Sequence, residues 1–295
     1  MPGKVLEIRA MSASSTAAPG IRTEPVVAKL IDTSACIGCK ACEVACQEWN
    51  DLPAETTVQH GSYQTLPETT PNLWNLIKFN EHETSDGGFQ WLLRKDQCMH
   101  CADPGCLKAC PAPGAIVQYN NGIVDFQQDN CTGCGYCIAG CPFNVPKLSK
   151  HTKKVYKCTL CVDRVSVGLE PACIKACPTN CLSFGTKDVL LLKAQSRVTQ
   201  LKAAGFAEAG IYDPPGVNGT GVVTILAHRD NPGAYGLPAN PTVPLAVQIW
   251  KGPLKWIGNL AILGGLIGTF IHYLRFGPKP VPHDDAEALK ADASR

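Results

Sequence analysis

The sequence contains none of the short motifs that mark common enzyme active sites. There is no Gly-rich dinucleotide fingerprint, no P-loop and no nucleophile motif. Charged residues make up only 18% of the chain and the formal net charge is +2, so nothing favours binding to nucleic acid. The seven His residues form no evident ligand set, and we expect His100 to face solvent or form a hydrogen bond. The sequence therefore predicts no catalytic residues and no nucleic acid partner.

A recognisable export signal is missing as well. Residues 1–30 include Lys4, Arg9 and Arg22, but they contain no apolar run long enough for a signal core and no twin-arginine pair. We therefore expect no signal peptide in this sequence.

Cysteine, proline and glycine are abundant instead, with 17, 23 and 27 residues. Such a loop-rich chain needs cross-links or metal centres to replace missing core. Disulfides, zinc and iron–sulfur clusters are the ordinary explanations for so many cysteines. Nearly all of them sit in tight groups, which converge several thiolates on one point, whereas structural disulfides usually join distant segments. The grouping therefore favours metal centres.

All the cysteines except Cys181 fall into four groups of four. Group 1 consists of Cys36, Cys39, Cys42 and Cys46. Group 2 consists of Cys98, Cys101, Cys106 and Cys110. Group 3 consists of Cys131, Cys134, Cys137 and Cys141. Group 4 consists of Cys158, Cys161, Cys173 and Cys177.

The spacing of group 3 matches the bacterial ferredoxin run C-x2-C-x2-C-x3-C-P, and group 1 matches it apart from the proline. In that run three thiolates hold one cubane and the fourth reaches a different cluster. Gly38, Gly133 and Gly135 let the backbone approach the cluster, since they carry no Cβ. A zinc ribbon needs two C-x2-C pairs per metal and does not account for the third and fourth cysteines. The pattern therefore favours iron–sulfur clusters over zinc.

Because each group lends its last thiolate, the groups must pair, and the spacing predicts four [4Fe-4S] clusters whose iron is bound only by cysteine. Groups 2 and 3 follow the two-cluster order, so one cluster would be held by Cys98, Cys101, Cys106 and Cys141. Its neighbour would be held by Cys131, Cys134, Cys137 and Cys110. Groups 1 and 4 then form a third cluster with Cys36, Cys39, Cys42 and Cys177. The last would be held by Cys158, Cys161, Cys173 and Cys46. Cys181 is left as a buried free thiol or as a spare near the cluster of Cys177.

This pairing nests one ferredoxin-like module inside another. The predicted fold is α+β, with these two nested modules and a single C-terminal transmembrane helix, which rests on the apolar segment described below. The expected segments are an N-terminal arm, mobile or draped over a partner (1–24), the double ferredoxin-like domain (25–185, with an insert at about 50–88), a helix and loop extension (186–250), the membrane helix (251–276) and a polar tail (277–295). Strands are expected at 26–31, 90–93, 123–126 and 222–227.

Two further segments carry no chemical motif. A helix capped by Asp188 should pack on the cluster domain through Val189, Leu192, Val198 and Leu201. The basic stretch at 147–157 is a solvated loop or an electrostatic docking site.

The apolar segment Leu254–Leu274 predicts a membrane span. Its 21 residues would form a helix of about 31 Å, close to the ~30 Å hydrocarbon core of a bilayer. Trp256 and Tyr273 lie near its two ends, as interfacial anchors do. The alternative is a buried helix of a soluble core. Lysine and arginine flank both ends, so charge does not decide the orientation.

The cysteine groups and the anchor together resemble the iron–sulfur (beta) subunit of membrane-bound respiratory formate dehydrogenase of the N/O type. The resemblance runs from about Val27 to the end of the span. It is carried by the stretches IGCKACEVAC, RKDQCMHCADPGCLKACP, GIVDFQQDNCTGCGYCIAGCPFNVP, VYKCTLCVDRVSVG and IWKGPLKW. The cysteine groups alone also resemble subunits of other molybdopterin oxidoreductases and of some hydrogenases, and the anchor narrows the choice.

The resemblance implies an electron-transfer subunit without an active site of its own. Electrons would come from a molybdenum- or tungsten-pterin catalytic subunit that oxidises formate. They would pass the cluster of Cys36, then those of Cys158, Cys98 and Cys131, to a haem b membrane subunit and quinone. The globular part would lie on the periplasmic side of the bacterial inner membrane, exported on its partner's signal, with the tail in the cytoplasm. The alternative is the same relay in a hydrogenase or another molybdopterin oxidoreductase.

Overall fold

The structure is a computed structural model that describes residues 6–13, 24–58, 63–64, 66–83 and 87–277. Most of the predicted arm and nearly all of the predicted tail lie outside the described residues. The described strands are β1 (Ile8–Met11), β2 (Val27–Asp32), β3 (Leu76–Glu83), β4 (Phe89–Asp96), β5 (Ile116–Tyr119), β6 (Val124–Phe126), β7 (Lys147–Leu148), β8 (Val155–Tyr156), β9 (Leu182–Thr186), β10 (Gly210–Tyr212) and β11 (Val222–Leu226). The described helices are α1 (Ala41–Trp49), α2 (Gly105–Ala109), α3 (Tyr136–Ala139), α4 (Val162–Ser166), α5 (Ala172–Lys175), α6 (Lys187–Ala203), α7 (Leu245–Ile249) and α8 (Lys255–Phe276).

These elements confirm the α+β class and all four predicted strands. The chain divides between Val247 and Gln248 into two compact units. The larger unit holds every cysteine, and the smaller one contains α8.

The larger unit contains a four-stranded sheet in the order β10-β11-β2-β9. β11 runs parallel to β2, and the other neighbours are antiparallel. Side chains alternate between the two faces of a strand. Ala28 and Leu30 therefore pack in one apolar core group with α6, whereas Ile31 packs in another core group that includes cysteine side chains. The sheet thus separates an apolar layer from the layer that contains the thiols.

Helix α6 covers the apolar face of the sheet, but its cap and part of its contact surface differ from the prediction. Its N-cap is Thr186, and Asp188 lies in the first turn, where a negative charge favours the helix dipole. The buried residues are Leu190, Ala194 and Leu201. Val189 and Leu192 are 61% and 67% exposed, because each residue turns the helix by about 100° and carries them off the buried stripe.

The other seven described strands were not predicted from the sequence, and β3 and β1 illustrate the reasons. β3, in the insert at about 50–88, pairs with β4 from Leu76↔Asp96 to Glu83↔Phe89. Its outer half, NEHE, is polar and gives no strand signal. β1 pairs with β5 of the same chain, so these residues of the expected arm do not drape over a partner.

The segment 206–244 is also more closely integrated than its Gly- and Pro-rich sequence indicates. It supplies β10 and β11 of the sheet. Ala102 N–H donates to the Gly219 carbonyl, and Asp103 N–H donates to the Val217 carbonyl, each at 2.9 Å. Gly221 N–H donates in turn to the His100 carbonyl at 2.9 Å. The segment therefore holds the group 2 loop in place.

Two helix pairs bring distant cysteines together. α1 packs against α5, and α2 packs against α3. Cys42 and Cys46 lie in α1 and Cys173 lies in α5, whereas Cys106 lies in α2 and Cys137 in α3. The packing thus joins group 1 to group 4 and group 2 to group 3, as nested modules require.

The smaller unit contains a long apolar helix. α8 has 22 residues with a mean hydropathy of 1.5, and none of its apolar stretch is buried. It agrees with the predicted span to within two residues and contradicts the alternative of a buried core helix. A π-helical turn at Trp250–Leu254 precedes it and contains Pro253, whose missing N–H disrupts regular α-helical bonding.

Glycine at two positions permits α2 and α3 to approach closely. A Cβ at Gly140 would lie 2.6 Å from Ala109 Cβ and 2.7 Å from the Gly105 carbonyl oxygen. A Cβ at Gly105 would lie 2.3 Å from the Gly140 carbonyl oxygen. These distances are well inside van der Waals contact.

We predict that Gly140→Ala lowers the midpoint of thermal unfolding of the anaerobically purified protein, since overpacking costs about 1–3 kcal/mol. Gly185→Ala is the matched control, because a Cβ there would meet Leu190 at no less than 3.8 Å. Calorimetry checks the prediction, and equal midpoints for the two variants would contradict it.

Candidate metal centres

The first loop of each cysteine group has the same backbone turn. The second residue after the first cysteine is left-handed in all four groups: Gly38 (φ 69°), His100 (φ 45°), Gly133 (φ 70°) and Leu160 (φ 56°). Glycine adopts this conformation easily, whereas the Cβ of His or Leu makes it costly. Because even these residues adopt it, the surrounding structure must impose the turn.

This turn directs N–H groups at sulfur. His100 N–H lies 3.4 Å from Cys98 Sγ, and Leu160 N–H lies 3.4 Å from Cys158 Sγ. Such N–H donors stabilise thiolates and tune the potential of a metal that the thiolates bind. The loops are therefore built to hold anionic sulfur.

The first predicted ligand set lines one cavity. Its members are Cys36, Cys39, Cys42 and Cys177, and Cys181 lines the same cavity. A hydrogen bond from the Cys181 thiol lowers the pKa of Cys36 to about 6, and the same bond raises the pKa of Cys181. Cys181 is buried, and its Sγ lies 3.5 Å from Cys177 Sγ. Cys181 is thus a buried thiol beside Cys177, and its place as a spare near a cluster stays a prediction.

The second set lines another cavity. Its members are Cys46, Cys158, Cys161 and Cys173, and Lys29 lines the cavity with them. Burial and then the negative charge of Cys158 raise the pKa of Cys46 to about 12. The same two causes raise the pKa of Cys161 to about 12. These four thiols are therefore close neighbours that repel one another as thiolates.

The members of the other two sets influence one another in the same way. Burial and then the charges of Cys98 and Cys141 raise the pKa of Cys101 well above its usual value. In the remaining set, burial comes first and the charges of Cys110, Cys131 and Cys134 follow, and together they raise the pKa of Cys137 to about 12.

The donor chemistry of the four sets fits a [4Fe-4S] cluster in each. Closely spaced buried thiolates repel one another, and the positive charge of bound iron offsets that repulsion. Among the described residues, no three His, Cys, Asp or Glu side chains converge tightly enough to bind one metal ion. A cubane does not require that convergence, since each thiolate binds a different iron atom. When bound, such a cluster takes up and releases one electron. The exact ligands stay a prediction.

The four sets follow one another as neighbours. Cys42 of the first set is influenced by the charge of Cys173 in the second. Cys98 of the third set packs in the same hydrophobic core group as Cys158 of the second. The packing of α2 on α3 links the third set to the fourth.

His100 is buried (2% exposed) and its Nδ1 accepts a hydrogen bond from Val124 N–H at 3.1 Å, which agrees with the second of the two expectations for it. One buried residue differs from the sequence predictions. Lys150 and Lys153 of the basic stretch are exposed as expected, but Lys157 is buried. The adjacent Cys158 was the sequence signal from which the burial of Lys157 could have been predicted.

Comparisons with known proteins agree with this geometry. Two family models described as 4Fe-4S dicluster domains match residues 35–115 and 89–187. A third model, described as "Formate dehydrogenase N, transmembrane", matches residues 243–286. The dicluster models follow chain order, whereas the helix packing joins the outer groups and the inner groups.

Several curated proteins are similar over most of the chain. The nitrate-inducible formate dehydrogenase iron-sulfur subunit of Escherichia coli (strain K12) is 54% identical over 262 residues, 88% of this chain and 89% of that protein. The formate dehydrogenase iron-sulfur subunit of Haemophilus influenzae is 53% identical over 277 residues, 93% of this chain and 88% of that protein. The formate dehydrogenase-O iron-sulfur subunit of Escherichia coli (strain K12) is 50% identical over 272 residues, 92% and 90% respectively.

We predict that Cys110→Ala removes up to about four of about sixteen iron atoms, since its thiolate would be a ligand of the Cys131 cluster. Cys181→Ala should retain all of the iron, because the spacing assigns Cys181 to no cluster. Iron analysis of the anaerobically purified protein, with wild type alongside, checks both variants. Full iron in Cys110→Ala, or an equal loss in Cys181→Ala, would contradict the assignment.

Proposed function

The chain belongs to the family of formate dehydrogenase iron–sulfur subunits, and from this premise we propose that it relays electrons from a formate-oxidising pterin subunit through four [4Fe-4S] clusters to a membrane haem and quinone. The ligands proposed for these clusters are the four thiol sets described above. The subunit supplies no catalytic residues, so its contribution is to place and tune the clusters.

The observation that carries this proposal is the succession of neighbouring thiol sets. Contacts or charge effects link Cys42 to Cys173, and Cys98 to Cys158, while α2 and α3 link the last two sets. A set with a neighbour on each side suits a relay. Each cluster is named here by one cysteine of its set. We propose that electrons pass the clusters in the order Cys36, Cys158, Cys98 and Cys131.

The proposed partners lie at the two ends of this succession. A molybdenum- or tungsten-pterin alpha subunit would deliver electrons from formate to the cluster of Cys36. A gamma subunit with haem b would accept them from the cluster of Cys131 and reduce quinone. The names of the relatives, which include formate dehydrogenase iron-sulfur subunits, support this assignment.

The proposed location is the bacterial inner membrane, crossed once by α8. The larger unit would lie on the periplasmic side and the residues after α8 in the cytoplasm. The exposed, apolar surface of α8 supports a place in the bilayer.

The decisive experiment separates formate oxidation from quinone reduction in the purified complex. We expect Cys110→Ala to retain formate oxidation with a soluble dye and to lose quinone reduction, because the last cluster of the relay would be damaged. Cys181→Ala is the control and should retain both activities. If Cys110→Ala reduced quinone at the wild-type rate, the proposed order would fail. If the wild-type complex oxidised hydrogen but not formate, the proposed donor would be wrong.

A chain that ends at Val247 tests the role of the smaller unit. We expect it to leave the membrane fraction and to lose quinone reduction, since about 20 apolar residues are needed to span a bilayer. Cell fractionation followed by both assays provides the measurement. In intact spheroplasts, protease added from outside should digest the larger unit of the full chain; protection would contradict the proposed orientation.

A further inference from the structure

Three lysines are buried among the thiol sets. Lys29 is 0% exposed, Lys157 3% and Lys95 6%. Lysine is almost never buried so completely unless its charge is compensated. Within the described part of the chain, none of the three ammonium groups forms an ion pair with a carboxylate. Their compensating charge therefore does not come from a directly contacting carboxylate.

Lys29 contacts a predicted ligand directly. It lies in β2 between Ala28 and Leu30, and alternation along the strand turns it away from α6 and toward the thiols. Its Nζ lies 3.1 Å from Cys173 Sγ and 3.0 Å from Gln97 Oε1. Burial by itself lowers the pKa of Lys29, but the charges of Cys173 and Cys158 raise it overall. Lys29 thus serves the second set.

Lys95 lies between the first and second sets. It lines the cavity of Cys36, Cys39, Cys42 and Cys177, and its Nζ donates to Asn75 Oδ1. Burial opposes its charge, but the charges of Cys42 and then Cys173 raise its pKa overall. The carboxyl of Glu43 on α1 also faces it.

Lys157 lies between the second and third sets. Its Nζ donates to the Val124 carbonyl at 2.6 Å and to the Cys158 carbonyl at 2.9 Å. It also lies 4.8 Å from the centroid of the Phe126 ring. Burial opposes its charge, and the charges of Cys98, then Asp125 and Cys106, raise its pKa overall. No thiol accepts a hydrogen bond from Lys157 among these contacts, so its effect on the clusters would be one of charge.

The fourth set differs from the other three. The strongest charge effects on Cys137 come from Cys110, Cys131 and Cys134, and no ammonium group is among them. The distribution of buried lysines along the relay is therefore uneven.

We propose that the buried ammonium groups of Lys29, Lys95 and Lys157 raise the reduction potentials of the first three clusters. This inference rests on the four clusters proposed above. Reduction of a cluster adds one electron from its neighbour and makes the cluster more negative by one charge. A nearby fixed cation stabilises that form, and strongly so in a low-dielectric interior. The lysines gain and lose no proton in this step, and the electron leaves to the next cluster.

The test is a redox titration of the intact, anaerobically purified complex, followed by electron paramagnetic resonance. Lys29→Met, Lys95→Met and Lys157→Met remove one charge each while keeping much of the side-chain volume. Each should shift cluster midpoints to more negative values: Lys29→Met that of the second cluster, Lys95→Met those of the first and second, and Lys157→Met those of the second and third. The fourth midpoint should stay unchanged. Lys202→Met, an exposed lysine on α6, is the control and should shift none.

Each outcome of the titration separates the inference from the function on which it rests. Iron-replete Met variants with wild-type midpoints would overturn the role of the lysines and leave the relay intact. Loss of iron from Lys29→Met, Lys95→Met and Lys157→Met alike would also overturn it, because the lysines would then serve folding or cluster retention. If the wild-type subunit gave no signals from reduced [4Fe-4S] clusters, the proposed function itself would fail.

Discussion

The structure depends on one constraint: in each proposed set, three thiols of one group and a fourth from a distant group must come together. Cys36 and Cys177 line the same cavity although the whole ferredoxin-like centre of the sequence lies between them. The apolar clusters of the larger unit themselves contain cysteines, including Cys42 and Cys173 in one and Cys106 and Cys137 in another. On the proposed assignment, metal centres thus supply cross-links where a loop-rich chain has little conventional core.

The sheet turns this constraint into a layered architecture. One face of β2 packs against α6, and the other faces the thiols. The parallel pairing of β11 with β2 also explains why residues after the cysteine groups matter to them. The chain that leads into β11 forms backbone hydrogen bonds with the group 2 loop, including Gly221 N–H to the His100 carbonyl. The segment 206–244 therefore supports the group 2 loop as well as forming part of the sheet.

Sequence reasoning succeeded where a signal is local and failed where tertiary packing decides. Cysteine spacing fixes which thiols share a loop, and an apolar run of bilayer length predicts α8. β3 was not predicted, because its outer half is polar and its extended conformation depends on pairing with β4. Val189 and Leu192 were assigned to the wrong face of α6, since several consecutive apolar residues leave the helix phase undetermined. Lys29 stood in the apolar run VVAKLI, and only a strand covered on both faces places it inside.

A buried electron relay must also accommodate the charge that each electron brings. Water can do so at the surface, and the exposed thiols of Cys39 and Cys134 give the first and fourth sets that access. Around Cys158 and Cys173, which are buried, solvent is excluded and a charge needs a partner within the protein. An ammonium group already fixed beside the thiolate requires little reorganisation when the electron arrives, as with preorganised dipoles in other sites. Lysines in the interior and water beside the exposed thiols are thus two solutions to the same electrostatic problem.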